Sequence, residues 1–445
     1  MKQSPWRFLW RAPDIRNKLL ITLLILVIYR LLANIPVPGV NRVVLQQIAT
    51  SGGAGGNFVN LLDLLSGGTI SNFSILAMAV YPYITAQIIL QLLVPIVPAW
   101  QRRFQDNPRE GQQWMERWTM ILSIPMALLS SIGQINILRS LTSQNLFTFN
   151  FGLSGGAVLP TITVIITMTA GTMLGIWLGQ LISEFGIPNQ GLSLIIFAGI
   201  VARIPQNLGA ILADQNGVWM LIAILFIFLL IIFAILFVQQ GQRNVPVLFP
   251  GRRVGNRMSM PVRSNLPLMV NMAGMIPLIF AQAMLSFPSI VSGFFVNSGT
   301  EWLRNAANSV IQFFNLQGAA YSILYFVLVV AFTYFYTDVL FQQQSYGESL
   351  KRQGAQIPGV IRGDATQDYL SRVQRRITLP GALFLGIVAV LPAILALFFP
   401  GASRTGLFLT SSAGLLIVVG VVRDTFNIID AELKVHGHDV SLVHG

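Results

Sequence analysis

The chain has 445 residues, of which 54% are hydrophobic and only 10% charged, and it contains no cysteine. Soluble domains usually carry about a quarter charged residues, so this composition excludes an ordinary globular protein; the missing cysteines exclude a disulfide framework, a thiolate metal site and a cysteine nucleophile. The formal charge of +12 fits nucleic-acid or anionic-lipid contact, and its meaning depends on where the basic residues fall.

The apolar residues come in blocks, many of them near the roughly 20 residues that a helix needs to cross a bilayer. Read against the flanking charges, they predict ten spans, near 19–35, 74–96, 118–138, 159–183, 190–211, 217–238, 267–292, 319–340, 378–399 and 407–422. A basic segment (Arg7, Arg11, Arg16, Lys18) precedes the first, as in a signal peptide. No small-residue cleavage site follows and Arg30 interrupts the run, so a retained helix is expected. The stretch from Pro5 to Arg11 mixes aromatic and cationic side chains; it fits an interfacial segment and a solvated tail equally well.

After span one, the linker Ser51 to Gly56 leads to Phe58, Leu61, Leu62 and Leu65, which share one face of a short helix that Ser66-Gly67-Gly68 ends. About eight residues cannot cross a membrane, so a re-entrant element and an interfacial helix both fit. Span two carries Pro82, Thr85, Gln87 and Gln91, and span seven carries Asn271, Pro277 and Gln282. Such residues usually face other helices. In span four the spacing of Gly171, Gly175 and Gly179 predicts a close helix contact.

Two connections, 239–266 and 341–377, are long and rich in arginine; the first holds Arg243, Arg252, Arg253, Arg257 and Arg263 and no acid. A segment of that kind can bind lipid headgroups, an acidic protein or RNA phosphates, and connections of that length are usually disordered or functional. With the N-terminus in the cytoplasm, all Lys and Arg except Arg30, Arg42, Arg139, Arg203, Arg304 and Arg404 fall on the cytoplasmic side. The positive-inside rule therefore predicts that both termini are cytoplasmic.

Ion-coupled transporters usually keep ionisable groups near the bilayer midplane. Here Arg30, Arg203 and Asp338 lie near span ends, and His436, His438 and His444 lie in the C-terminal tail. The four lysines follow Met1, Asn17, Leu350 and Leu433, so the chain has no Gly-Lys-Ser/Thr phosphate loop. An enzyme is therefore not expected, nor is a cofactor or metal. A secondary transporter is the alternative, weakened by the absence of coupling groups.

Several blocks follow one another in order: Ile35-Pro36-Val37-Pro38-Gly39, Ser66-Gly67-Gly68, Pro82-Tyr83-Ile84-Thr85-Ala86, Ile195 to Val201, Gly251-Arg252-Arg253-Val254 and Asn271 to Pro277. Over about 18–425 the chain resembles the SecY family, the channel-forming subunit of the bacterial and plastid Sec protein translocase. The resemblance implies an all-α polytopic membrane protein with about ten transmembrane helices, arranged as two five-helix inverted pseudo-repeats around a central pore. The halves would be 1–212 and 213–430, with a plug near 57–68 and a cytoplasmic tail at 431–445. Such a channel passes unfolded secretory proteins across the membrane and releases hydrophobic segments laterally into lipid.

Carried over by alignment, the resemblance implies a pore ring of Val80, Ile84, Leu192, Ile196, Ile279 and Ile417. It implies a plug built on Phe58, Leu61, Leu62 and Leu65, and a lateral gate whose polar cluster is Thr85, Ser130 and Asn271, held shut by hydrogen bonds. The arginine-rich connections would form a platform for ribosomes or the motor ATPase SecA, using Arg243, Arg252, Arg253, Arg257 and Arg362. The family's Pro-Gly-x-Arg-Pro-Gly reads Pro358-Gly359-Val360-Ile361-Arg362-Gly363 here, with the arginine displaced by one position. Further partners implied are SecE-type and SecG-type subunits, signal sequences, nascent chains and membrane lipids. The location implied is the inner (plasma) membrane or, in a plastid, the thylakoid.

Overall fold

The computed structural model describes residues 13–41, 73–94, 97–140, 147, 149, 157–212, 217–249, 253–254, 257–258, 262–293, 295, 300–314, 319–344, 346–361, 363–398 and 407–435. All ten predicted spans overlap a helix. In chain order these are α1 (Pro13–Leu32), α2 (Tyr81–Leu93), α4 (Pro108–Ser140), α5 (Val158–Phe185), α6 (Gly191–Leu212), α7 (Gly217–Gln240), α8 (Ile276–Gly293), α10 (Ala319–Gln344), α12 (Asp364–Phe398) and α13 (Leu407–Val435). Three further helices, α3 (Pro98–Asp106), α9 (Glu301–Phe313) and α11 (Tyr346–Arg352), lie between spans. Among the described residues, four stretches are long and apolar enough to cross a membrane, with a fifth if α2 and α3, bent by 96° at their break, count as one.

The packing repeats in part. Span two packs on span three, three on four, four on five, and one on five; five spans later, seven packs on eight, eight on nine, nine on ten, and six on ten. Span one also packs on four, whereas six and nine make no comparable contact among the described residues. The two sets meet where span two touches seven, three touches seven, and five touches both six and ten.

Span two departs from the continuous helix expected over 74–96. Residues 73–80 form buried turns, Phe73 and Ala79 have φ of 41°, and the helix begins only at Tyr81. Irregular backbone inside a membrane protein must be enclosed by protein and find its own hydrogen bonds. Here the Val37 amide donates to the Phe73 carbonyl and the Ile75 amide to the Ile35 carbonyl, each at 2.9 Å. The glycine stripe of α5 makes room: a Cβ on Gly171 would lie 1.9 Å from the Ile75 carbonyl oxygen. Span seven departs likewise: a strand runs through Met269, a turn follows, and α8 starts at Ile276.

The all-α expectation also omits a hairpin. In the first arginine-rich connection, β1 (Gln242–Phe249) pairs antiparallel with β4 (Val262–Met269), from Gln242 opposite Met269 to Phe249 opposite Val262, and β2 (Arg253–Val254) pairs with β3 (Arg257–Met258) nearer the tip. Val245 and Val247 alternate with exposed neighbours and pack with Leu268 against Phe341, Leu350, Ile357 and Leu370 of the second connection and its flanking helices. Leu248 and Gln356 exchange backbone hydrogen bonds of 2.8 and 2.9 Å. The two connections are one folded platform rather than independent loops. Pro246 and Pro267 argue against strands in the sequence, yet both are exposed in a two-stranded ribbon, where each strand has only one neighbouring strand.

Candidate channel and lateral gate

The six aliphatic residues come from four helices. Val80 caps α2 with φ −98° and ψ 4°, so it sits where the irregular segment becomes helical, and Ile84 follows one turn on. Leu192 and Ile196 lie one turn apart on α6, Ile279 on α8 and Ile417 on α13. All six fall in one apolar cluster: Val80, Ile196 and Ile417 are at most 8% exposed, and Ile84, Leu192 and Ile279 pack half-buried against them. The close approach of α5 and α6 sets Leu192. A Cβ on Gly191 would lie 1.7 Å from the Gly179 carbonyl oxygen, and one on Gly179 would lie 2.7 Å from Leu192 Cδ2. Such a collar can exclude hydrated ions by dewetting while presenting no directional partner to a passing chain. Met275, in the turn before α8, also packs here; neither spacing nor composition singles it out.

A second face of α2 meets α4 and α8. Thr85 and Ser130, both buried, line a cavity of about 60 Å³ with Tyr81, Met126, Phe287 and Val291. Asn271 is buried in the turn before α8 and is not among the lining residues. Its hydrogen bond is local, Nδ2 donating to the Gly274 carbonyl at 3.1 Å, and Thr85 Oγ1 donates to the Tyr81 carbonyl at 3.0 Å. A direct bond across the seam comes from Tyr81, whose hydroxyl donates to the Ala283 carbonyl of α8 at 3.3 Å. Further along α2, Gln91 is hydrogen-bonded to Tyr336 of α10. Sequence reasoning passed over both tyrosines. Tyr81 lies one turn before Thr85, and Tyr321, Tyr325, Phe332 and Tyr336 mark one helical face of span eight, all buried with Tyr81 in a second apolar cluster. Ile84 and Met275 border both clusters, so collar and seam share a wall.

The expected plug residues Phe58, Leu61, Leu62 and Leu65 lie outside the described residues, as do Arg252 and Arg362. Arg243 and Arg263 are exposed on β1 and β4, and Arg253 and Arg257 fall on the β2–β3 pair. Asp338 is ion-paired: Arg375 of α12 donates to its two oxygens at 2.9 and 3.2 Å, and that hydrogen bond raises the guanidinium pKa above its usual range. Lys18 of α1 pairs with Glu432 of α13, tying the helices of spans one and ten together.

Helices apolar enough to cross a membrane, with aliphatic side chains of α2, α6, α8 and α13 gathered in one cluster, define a polytopic helical membrane protein. The SecY family model matches residues 74–426. Protein translocase subunit SecY of Mycobacterium bovis is 36% identical, over 96% of this chain and 97% of its own length. The subunits of Chlamydia trachomatis and Halalkalibacterium halodurans are 35% and 37% identical, over 97% and 96% of this chain and 96% of their own lengths. This chain belongs to the SecY family. Among solved structures, one described as a protein conducting channel has a TM-score of 0.61 at 16% identity, covering 99% of this chain and 100% of that one. Sec61 in a canine ribosome–channel complex from the endoplasmic reticulum has a TM-score of 0.58 at 16% identity, with the same coverage. At that identity the likeness establishes the fold.

Proposed function

We propose that this chain is the protein-conducting channel subunit of a Sec translocase, passing unfolded secretory proteins across the membrane and releasing hydrophobic segments sideways into lipid. The observation that carries this reading is that Val80, Ile84, Leu192, Ile196, Ile279 and Ile417, from α2, α6, α8 and α13, pack in one apolar cluster. In this reading the six form the constriction, and Thr85, Ser130 and Asn271, with Tyr81 beside them, line the gate through which a signal sequence leaves. Phe58, Leu61, Leu62 and Leu65 plug the external half at rest; a solved structure described as a SecY protein whose plug domain maintains a membrane seal has the same fold, at a TM-score of 0.59. Residues 1–212 and 213–430 are the two inverted halves, both termini are cytoplasmic, and the membrane is the inner membrane or a thylakoid.

The chain holds no phosphate-loop motif, so a partner drives transport. The hairpin platform, with Arg243, Arg252, Arg253, Arg257 and Arg362, suits acidic protein or rRNA surfaces, and we assign it to the ribosome and the SecA motor. Phosphate contacts predict steep salt dependence, and reversing Arg252 and Arg253 to Glu weakens ribosome binding in co-sedimentation; binding unchanged at all salt concentrations removes this assignment. The whole reading is tested by reconstituting the chain with SecE-type and SecG-type subunits, SecA and ATP. An added precursor becomes protected from protease. Uptake of a small solute in the absence of precursor and motor would instead support a transporter.

A further inference from the structure

Helix α9 follows span seven at the end opposite the arginine-rich hairpin, because the hairpin precedes α8 and α9 succeeds it. Its 13 residues, with Glu301 and Arg304 among them, are too few and too polar to cross a bilayer. At 100° per residue the helix has three sides rather than two. Leu303, Ala307, Val310 and Phe314 form one; Ala307 is 4% exposed, and Phe314 packs on the α8–α10 cluster, so this side faces protein. Glu301, Arg304, Asn305, Asn308 and Gln312 form a second side, all exposed. The third is the stripe Trp302, Ala306, Ser309 and Phe313, with Trp302 74% and Phe313 55% exposed.

A helix lying where protein, lipid and water meet needs three such sides. We propose that α9 is an interfacial anchor whose Trp302–Phe313 stripe sits at the headgroup–acyl boundary of the leaflet opposite the platform. The occupant is lipid because span seven, which leads into α9, also presents large apolar side chains, with Met284, Phe287, Val291 and Phe295 exposed. The charge pattern agrees: one acid and one base on the wet side offer no net charge to a nucleic acid or an acidic protein. Tryptophan favours the membrane interface, and amphipathic helices settle about 5–10 Å into it. The anchor fixes the outer end of span seven, so a gate formed by that span pivots about a lipid-held end. That last consequence rests on the gate reading; the lipid contact does not.

The chain has no cysteine, so Trp302→Cys and Asn308→Cys each create a single labelling site in the full-length protein. Each variant is spin-labelled and reconstituted in phosphatidylethanolamine and phosphatidylglycerol vesicles. Collision with oxygen, which partitions into lipid, is compared with collision with a water-soluble nickel chelate. The label at 302 is expected to gain several-fold in oxygen access and lose several-fold in nickel access relative to the label at 308. Equal nickel access at both positions overturns the proposal, and so does shielding of position 302 from both reagents, which would mark a protein partner. Phe313→Cys repeats the measurement at the other end of the stripe should the 302 variant fail to fold. Because depth is read with no precursor and no motor present, the result stands whether or not the chain conducts proteins.

Discussion

The proposed collar and the proposed gate seam share α2 and use opposite chemistry. The collar gathers aliphatic side chains from α2, α6, α8 and α13 with no hydrogen bond between them, whereas the seam joins helices through Tyr81 to Ala283 and Gln91 to Tyr336. A constriction that must close around any sequence cannot have directional partners, because each would favour one passenger and delay the next. A seam that must hold and then part needs a few weak bonds, and hydrogen bonds between membrane helices contribute about 0.6 kcal/mol on average. The closed seam is also incompletely satisfied: Gln91 Oε1 and Asn271 Oδ1 are buried without a hydrogen-bond partner among the described residues. Parting the helices therefore forfeits little.

The comparison breaks most visibly at the collar. Replacing Ile84 and Ile417 together by Asn buries two amides where the wild type has none, at about 1–3 kcal/mol each unless water enters to solvate them. Entry of water wets the constriction, so ion conductance in planar bilayers is expected to rise more than for any seam substitution. Conductance equal to wild type means that these side chains do not line the pore. The support behind the collar gives the next largest effect. In Gly171→Ala the new methyl meets the Ile75 backbone carbonyl, which cannot rotate away, while in Gly179→Ala it meets the flexible end of Leu192. Overpacking typically costs about 1–3 kcal/mol, and thermal unfolding in detergent should show Gly171→Ala as the more destabilised. An equal loss in both variants would mean that the irregular segment of span two yields as easily as a side chain.

What could be read from sequence follows the same division. The spans, their order and the Gly171–Gly179 contact were legible because bilayer thickness and helix geometry impose a period that composition displays. The collar came only from resemblance: Ile84 and Ile196 have the same chemistry as the core residues beside them, and nothing in their spacing sets them apart. Thr85 and Asn271 drew attention as polar residues within spans and Ser130 only through the resemblance, yet Thr85 and Asn271 bond within their own segments. Tyr81 was missed because a tyrosine among apolar residues looks like packing until its hydroxyl is seen to reach Ala283. The hairpin was hidden by Pro246 and Pro267, since the rule against proline in strands assumes a sheet with both edges occupied.

The seam predictions sharpen the comparison at smaller scale. Tyr81→Phe removes the bond to Ala283 and keeps the ring in its cluster, so the closed state loses about 1 kcal/mol. Precursors with weakened signal sequences should then be translocated faster, and intact ones little changed, in the reconstituted assay. An unaltered ratio between the two precursor classes would place the latch elsewhere. The finest test compares two double-mutant cycles by the same ratio. Gln91→Leu with Tyr336→Phe should show coupling of about 0.6 kcal/mol, the membrane average, because the two side chains are bonded. Thr85→Val with Asn271→Leu should show less, because each hydroxyl or amide bonds within its own segment and neither loss is felt by the other. If positions 85 and 271 couple more strongly than 91 and 336, the polar cluster implied by the family pattern acts as a unit after all, through an arrangement in which Asn271 Oδ1 gains the partner it lacks here.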